Sequence, residues 1–374
     1  MWFSLRDVRR HRARFILFGF LVALVGGLVM VLTGLGRGLA DASVSAVLRL
    51  PGDGVVLQSE VRSFLSRSTV TSDQLAAAAE VDGVSRIDAL GTFTVSARTS
   101  DASPANDLTL FGVDPSGALV PEGADLSTPG AAWADQSLAD KGVAVGDTLT
   151  FEPGKRQVRV AGFLDLGTYS HLPAVYVALG EWQAVKYGPV DGVGPVPASA
   201  ASLASAGVIT YDPGVDQEAV GAAVAASVPK TEVLGRDAAV AATPGYKEET
   251  GTVDLMIGFL YVVAALVIGV FFWNAAVART GEIALLRAIG ATRGRTVREH
   301  VAQVLLVAVA GTAVAAVGSL GLAALLPSGV PFLLPVSAVV STAVLFVVVA
   351  LLAGLAPVRR ITSVDPLITL GRHS

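Results

Sequence analysis

The sequence predicts a membrane protein with four transmembrane α-helices, one and then three, and an α+β extracytoplasmic domain between the first and second. Three observations predict it. Hydrophobic residues make up 52% of the 374 and charged residues 16%, against roughly 25% charged in an ordinary soluble domain, and mean hydropathy is +0.62. Long stretches carry no charge at all. The charged residues are divided by sign along the chain.

Residues 1–14 hold five Arg and one Asp and read as a cytoplasmic amphipathic N-terminal helix. Phe15 to Gly36 is free of charge. About 20 apolar residues cross a bilayer, so 15–36 is the first span. It is too long for the apolar core of a signal peptide, roughly 7–15 residues, so cleavage is not expected. Residues 37–254 form the extracytoplasmic domain. Short β-prone runs there (Gly54–Leu57, Phe93–Ser96, Leu108–Val113, Thr148–Phe151, Val158–Phe163, Ala174–Ala178, Val208–Tyr211, Glu232–Leu234) are mixed with helical runs (Ser72–Glu80, Gly180–Lys186, Val215–Val228). Such mixing without strict alternation is α+β. Arg236–Asp254 reads as a helix or stalk, interrupted near Pro244-Gly245.

Leu255 to Ala278 is again uncharged and gives the second span, 255–278. A cytoplasmic coupling segment follows, 279–300. The uncharged stretch Val301 to Val358 is long enough for two helices. Pro327-Ser328-Gly329-Val330-Pro331 breaks it, giving spans 301–326 and 332–356 around an outer turn, 327–331. Residues 357–374 are a cytoplasmic tail. The two ends and the 279–300 loop together carry +9, and 37–254 carries −13. Basic loops stay cytoplasmic, so both termini are inside and 37–254 is outside.

Much chemistry is excluded. With no cysteine and four His, thiolate sites are impossible and a multi-His metal centre is not expected. No nucleophile elbow, HExxH, GxGxxG or Walker A sequence occurs. Ser, Asp and His are present outside, but nothing in the sequence places them together. No Asp, Glu, Lys or Arg lies within a span, where an ion-coupled carrier needs one. Energy must therefore come from another chain, and nothing calls for nucleic acid as a partner. Catalytic and metal residues are expected to be none.

The segment from Arg279 to Gly294, with Glu282-Ile283, Leu285-Leu286-Arg287-Ala288 and Gly290-Ala291, is the most specific in the chain. By itself it is a basic juxtamembrane helix, with Gly290 suited to its C-cap and Thr292 to the N-cap of the next. It resembles the coupling region of the FtsX/MacB-like permeases of ABC transporters. Ser4–Arg10 resembles that family's opening helix, Leu355–Arg360 with Asp365-Pro366-Leu367 its ending, and Gly142–Thr148 its extracytoplasmic core. Leu32–Leu39 and Gly167–Pro173 resemble the haem-exporting (HrtB-type) and DevC-type members.

The resemblance implies the non-catalytic permease subunit of an ABC exporter in the bacterial plasma membrane. Two copies would pair and dock on two copies of a cytoplasmic ABC ATPase, which alone holds ATP and Mg. Arg279, Glu282, Leu286, Arg287, Gly290, Thr292 and Arg293 would be the ATPase-coupling residues. This chain would bind no cofactor of its own. Its apolar spans suit a hydrophobic or amphipathic substrate entering from membrane lipid, haem among the choices. Candidate haem ligands are Met30, Glu248 and Glu249, in a site between spans one and two. The alternative is an FtsX-like mechanotransmitter, passing ATPase motion to an extracytoplasmic cell-wall hydrolase without transport. An exposed apolar helix pair on the outer domain would mark it.

Overall fold

The computed structural model describes residues 12–61, 65–99, 104–189, 192, 194–278, 292–327, 329–356 and 358. In chain order they form α1 (Arg12–Leu48), β1 (Gly54–Gln58), β2 (Val70–Thr71), α2 (Ser72–Ala79), β3 (Val84–Arg98), β4 (Asn106–Val113), β5 (Ala131–Asp135), α3 (Ser137–Asp140) and β6 (Thr148–Glu152). β7 (Gln157–Leu164), β8 (Thr168–Tyr169), β9 (Leu172–Ala178), α4 (Leu179–Tyr187), β10 (Leu203–Ala204), β11 (Ala206–Tyr211), α5 (Gln217–Ser227), β12 (Thr231–Gly235) and α6 (Arg236–Ala241) follow. The chain ends with α7 (Tyr246–Ala278), α8 (Arg293–Leu325) and α9 (Val336–Gly354). Two compact units result, Leu39–Glu249 and the remainder.

The remainder is helical. α1, α7, α8 and α9 are each long and apolar enough to cross a membrane. They meet through Phe18, Val22 and Val29 of α1, Ile268 and Phe272 of α7, Val304 and Val307 of α8, and Phe346 of α9. Phe18 stacks on Phe271, ring centroids 3.5 Å apart, and meets Phe272 edge-on. Large apolar side chains such as Phe20, Phe259, Leu266 and Val317 point outward. A water-soluble protein would bury them, whereas lipid accepts them. α9 begins at Val336 and not near residue 332. Pro335 is its N-cap, and the preceding backbone is used elsewhere: Leu333 N–H donates to the Gly34 carbonyl at 2.9 Å.

Unit 39–249 is built on a sheet in the order β12-β1-β11-β3-β4-β9-β5-β7-β6, with β8 added to β9. β3 also pairs with β6, Ala97 opposite Phe151, so β3-β4-β9-β5-β7-β6 closes into a ring. Val95, Leu108, Leu110, Leu149, Phe151, Val158, Val160 and Trp182 fill it. Trp182 is fully buried and lies against Gly91 and Gly112, where any Cβ would collide with it. The other flank, β11-β1-β12, packs on α2 and α5 around Val56, Ile209 and Val224. Both helices are capped: Thr71 and Gln74 form a capping box, and Asp216 accepts from the Glu218 and Ala219 N–H groups.

The strand expected over Phe93–Ser96 is one part of the 15-residue β3. The polar Ser85-Arg86-Ile87-Asp88 portion pairs with β11 and alternates too weakly to read as strand. β5, Ala-Ala-Trp-Ala-Asp, is invisible to β-propensity because alanine is a poor strand former. It is a strand because it lies between β9 and β7, paired on both edges.

Candidate functional site

Of the coupling residues, Arg279, Glu282, Leu286, Arg287 and Gly290 lie outside the described residues. Thr292 is the N-cap of α8, its hydroxyl accepting from Arg295 N–H at 3.4 Å, and Arg293 opens the helix. Two turns on, His300 is buried, with Nε2 2.8 Å from the Gly354 carbonyl and its ring edge-on to Phe272. This one imidazole ties the adjoining ends of α7, α8 and α9 together.

The glycines of 32–39 have a steric role. On α1, a Cβ at Gly34 would strike the Phe332 ring and one at Gly38 the Pro331 carbonyl, four residues apart on one face. A Cβ at Gly36 would strike Val253 of α7. α1 is thus in direct contact with α7 at that level. An apolar groove of about 370 Å³ opens instead between α1 and α8, lined by Ile16, Gly19, Phe20, Leu306, Gly311 and Val314.

The proposed ligands differ in setting. Met30 is fully buried against Ala315 and Val339, with Leu334 beside it. Glu248 is exposed. Glu249, in the first turn of α7, has partners that sequence reasoning missed: His171 and Ser43. His171 Nε2 lies 3.0 and 3.1 Å from the two Glu249 oxygens and 3.1 Å from Ser43 Oγ, and Ser43 Oγ donates to Glu249 Oε2 at 3.1 Å.

The β8–β9 turn places the imidazole. Ser170 and His171 have φ of 50° and 65°, the left-handed pair of a two-residue hairpin turn. The hairpin is fastened to α1 by Ser170 N–H to Ser43 O (2.9 Å), His171 N–H to Ala42 O (3.0 Å) and Thr168 Oγ1 to Ala42 O (2.7 Å). Asp135, buried at the end of β5, accepts from the Leu166 and Gly167 N–H groups at 3.0 and 2.8 Å and sets the approach to the turn. The sequence held one signal, the Gly167–Pro173 motif. That His171 meets residues 128 and 78 positions away is visible only in the fold.

Serine, histidine and glutamate within hydrogen-bond distance invite comparison with a hydrolase triad. The geometry excludes it. A triad imidazole meets its serine through one nitrogen and its acid through the other, so that it can relay a proton. Here both partners converge on Nε2, and the serine donates to the acid. The cluster offers an imidazole and a carboxylate side by side, both about two-fifths exposed. Those are ligand groups for iron or partners for a polar head group. Among the described residues no group of three or more His, Asp or Glu is placed to hold a metal ion.

Residues 255–366 match the family model described as FtsX-like permease C-terminal. Along its whole length the chain is similar to curated permeases. A Staphylococcus epidermidis protein bearing the name hemin transport system permease protein HrtB is 21% identical, with 98% of each chain covered. A Mycobacterium tuberculosis ABC transporter permease is 25% identical over 98% of each chain. Among solved structures, the extracellular domain of the transporter YknZ from Gram-positive bacteria is 17% identical at a TM-score of 0.35, covering 49% of this chain and 99% of that one. The periplasmic region of MacB from Actinobacillus actinomycetemcomitans is 13% identical at a TM-score of 0.34, covering 54% and 92%. The chain carries an FtsX-like permease domain at 255–366, is similar along its whole length to ABC transporter permeases, and is a multi-pass membrane protein with its α/β domain between the first and second helices.

Proposed function

We propose that this permease is the membrane half of a haem exporter, with its termini in the cytoplasm and its α/β domain outside. The likeness to ABC permeases implies a partner ATPase, and in this reading two copies of each chain assemble. The observation that carries the haem reading is the pairing of His171 with Glu249 at 3.0 Å. It adds imidazole, a common axial ligand of haem iron, to a carboxylate. The names of the staphylococcal relatives support it. So does the surface of unit 39–249. The large apolar side chains it leaves exposed among the described residues are Leu48 and Val145, far less than the apolar helix pair a mechanotransmitter would offer a hydrolase.

The test is a haem Soret titration of the purified protein in nanodiscs. Wild type should shift the band. His171→Ala and Glu249→Ala should each weaken binding about tenfold or more, as expected when a group that binds iron or orients its ligand is lost. Met30→Ala should matter less, because the thioether is enclosed by Ala315 and Val339. No shift in wild type removes haem as substrate. A shift indifferent to both His171 and Glu249 removes this site.

Coupling belongs to 279–293 in the same reading. Glu282→Arg reverses a charge within that segment, and Gly290→Pro introduces a residue that a continuing helix does not accept. Both should leave membrane insertion and copy number intact while abolishing export and stimulation of the partner's ATP hydrolysis. Full export by both variants would reduce the segment to a topology signal.

A further inference from the structure

Unit 39–249 contains a second polar constellation, made of other residues than the Ser43–His171–Glu249 cluster although it borders the β8–β9 hairpin in sequence. A cavity of about 430 Å³, half open to solvent, is lined by Arg49, Pro51, the 118–122 loop, Leu164–Leu166 and Tyr176. Cavities of roughly 300–1,000 Å³ that combine apolar walls with a few convergent polar groups are the usual form of small-molecule sites. Here Leu119, Val120, Pro121, Leu164 and Leu166 supply the walls.

The polar groups form a donor corner. Tyr176 is only 3% exposed, its ring stacked on Phe111 at 5.1 Å. Its hydroxyl makes no hydrogen bond among the described residues, although the residue lines the cavity. Such a hydroxyl normally has a partner. Burial pushes this phenol far above its ordinary range while the nearby Arg49 charge pulls the other way, so the two groups sense each other. The guanidinium lies over Gly167, at a positive φ of 79° where any side chain would displace it. It directs Nη2 to Asp165, at 2.9 and 3.0 Å, and makes no other hydrogen bond among the described residues. Asp165 is 83% exposed. A pair of that kind is weak and water-screened, so it leaves the guanidinium open to competition from another anion. Glu122 also lines the cavity, exposed and solvated.

We propose that this cavity binds a small amphipath by its single anionic head group, with Arg49 and Tyr176 as the head-group donors and the leucine wall taking the apolar body. Arg supplies a forked pair of N–H donors suited to a carboxylate. The phenol, with no hydrogen-bond partner among the described residues, completes the set as a second donor facing the cavity. The site would give the permease a ligand distinct from what its ATPase-driven cycle moves, as acceptor or effector.

The chain has no cysteine, so Ala118→Cys places a unique thiol on the cavity wall. The experiment measures its maleimide labelling in the full-length protein in nanodiscs, with octanoate, octylamine or octanol added. Ala144→Cys, an exposed position, controls for effects on the reagent. By occupancy alone, octanoate at about ten times its Kd should slow labelling of the wall thiol about tenfold. The control thiol should label at an unchanged rate, and octanol and octylamine should protect neither. Tyr176→Phe removes only an unbonded hydroxyl and should fold as wild type. It and Arg49→Gln should each abolish most of the protection. No protection by octanoate, equal protection by octanol or octylamine, or protection that survives both substitutions overturns the proposal. Failure here leaves the His171–Glu249 reading intact, since neither those residues nor the Soret band enters this measurement.

Discussion

Single atoms decide much of this structure, and glycine shows it most sharply. Gly38 in α1 and Gly318 in α8 are both helical glycines. A Cβ at Gly38 would overlap the Pro331 backbone, which cannot rotate away, whereas Gly318 has nothing within 4 Å. Gly38→Ala should therefore cost about 1–3 kcal/mol through overpacking. Gly318→Ala should be neutral or stabilise by up to about 1 kcal/mol from helix propensity. Thermal unfolding of the purified protein should show the first variant melting several degrees below wild type and the second at or above it. Equal melting of the two would remove the steric account of the 32–39 motif. The motif was legible in the sequence as a run of glycines. Its meaning was not, because Val253, Pro331 and Phe332, which these glycines meet, lie far along the chain. The same holds for the candidate ligands: the sequence offers Met30 and Glu249, but that Ala315 and Val339 enclose the one and His171 reaches the other is seen only in the fold.

Elements were legible where their own residues decide them and obscure where neighbours do. The helical runs 72–80 and 215–228 and the break at Pro244-Gly245 are local chemistry and are read from the sequence, whereas the caps themselves, Thr71 and Asp216, are seen in the fold. β5 exists because strands on both edges pair with it, and the first half of β3 because β11 pairs with it, which no window of their own sequence records. The β8–β9 hairpin is the element on which the proposed site depends, and Asp135 is its support. Its Oδ2 accepts from two buried N–H groups, and its Oδ1 from Ser137 N–H at 3.0 Å and from Ser137 Oγ. Asp135→Asn keeps the shape but turns an NH₂ toward one of these donor pairs. Leaving buried donors unsatisfied costs about 1–3 kcal/mol. The variant should melt lower and show faster hydrogen exchange at Leu166, Gly167 and Thr168, with the β11-β1-β12 flank unchanged. Uniform destabilisation with no local signature would mean that the carboxylate does not hold this hairpin.

At the scale of the whole molecule, the one-plus-three arrangement of apolar helices follows from where charge is absent, and its proposed sidedness rests on where charge is concentrated. The ends and the 279–300 loop carry +9 against −13 for 37–254. Moving an Arg-rich loop outward opposes the membrane potential at about 2.3 kcal/mol per charge per 100 mV, and five Arg lie between residues 279 and 300 alone. The opposite orientation would also carry a large acidic domain into the cytoplasm with no compensating gain. A chain without cysteine makes the prediction direct to test. Ala144→Cys sits on an exposed loop of the α/β domain, and Gly294→Cys on an open face at the start of α8. In intact cells an impermeant maleimide should label the loop thiol and spare the helix thiol, and permeabilisation should render both reactive. Labelling of the helix thiol alone in intact cells would invert the topology. It would also place the His171–Glu249 pair on the cytoplasmic side, where it could receive substrate but not release it outside, so the export direction rests on this single measurement.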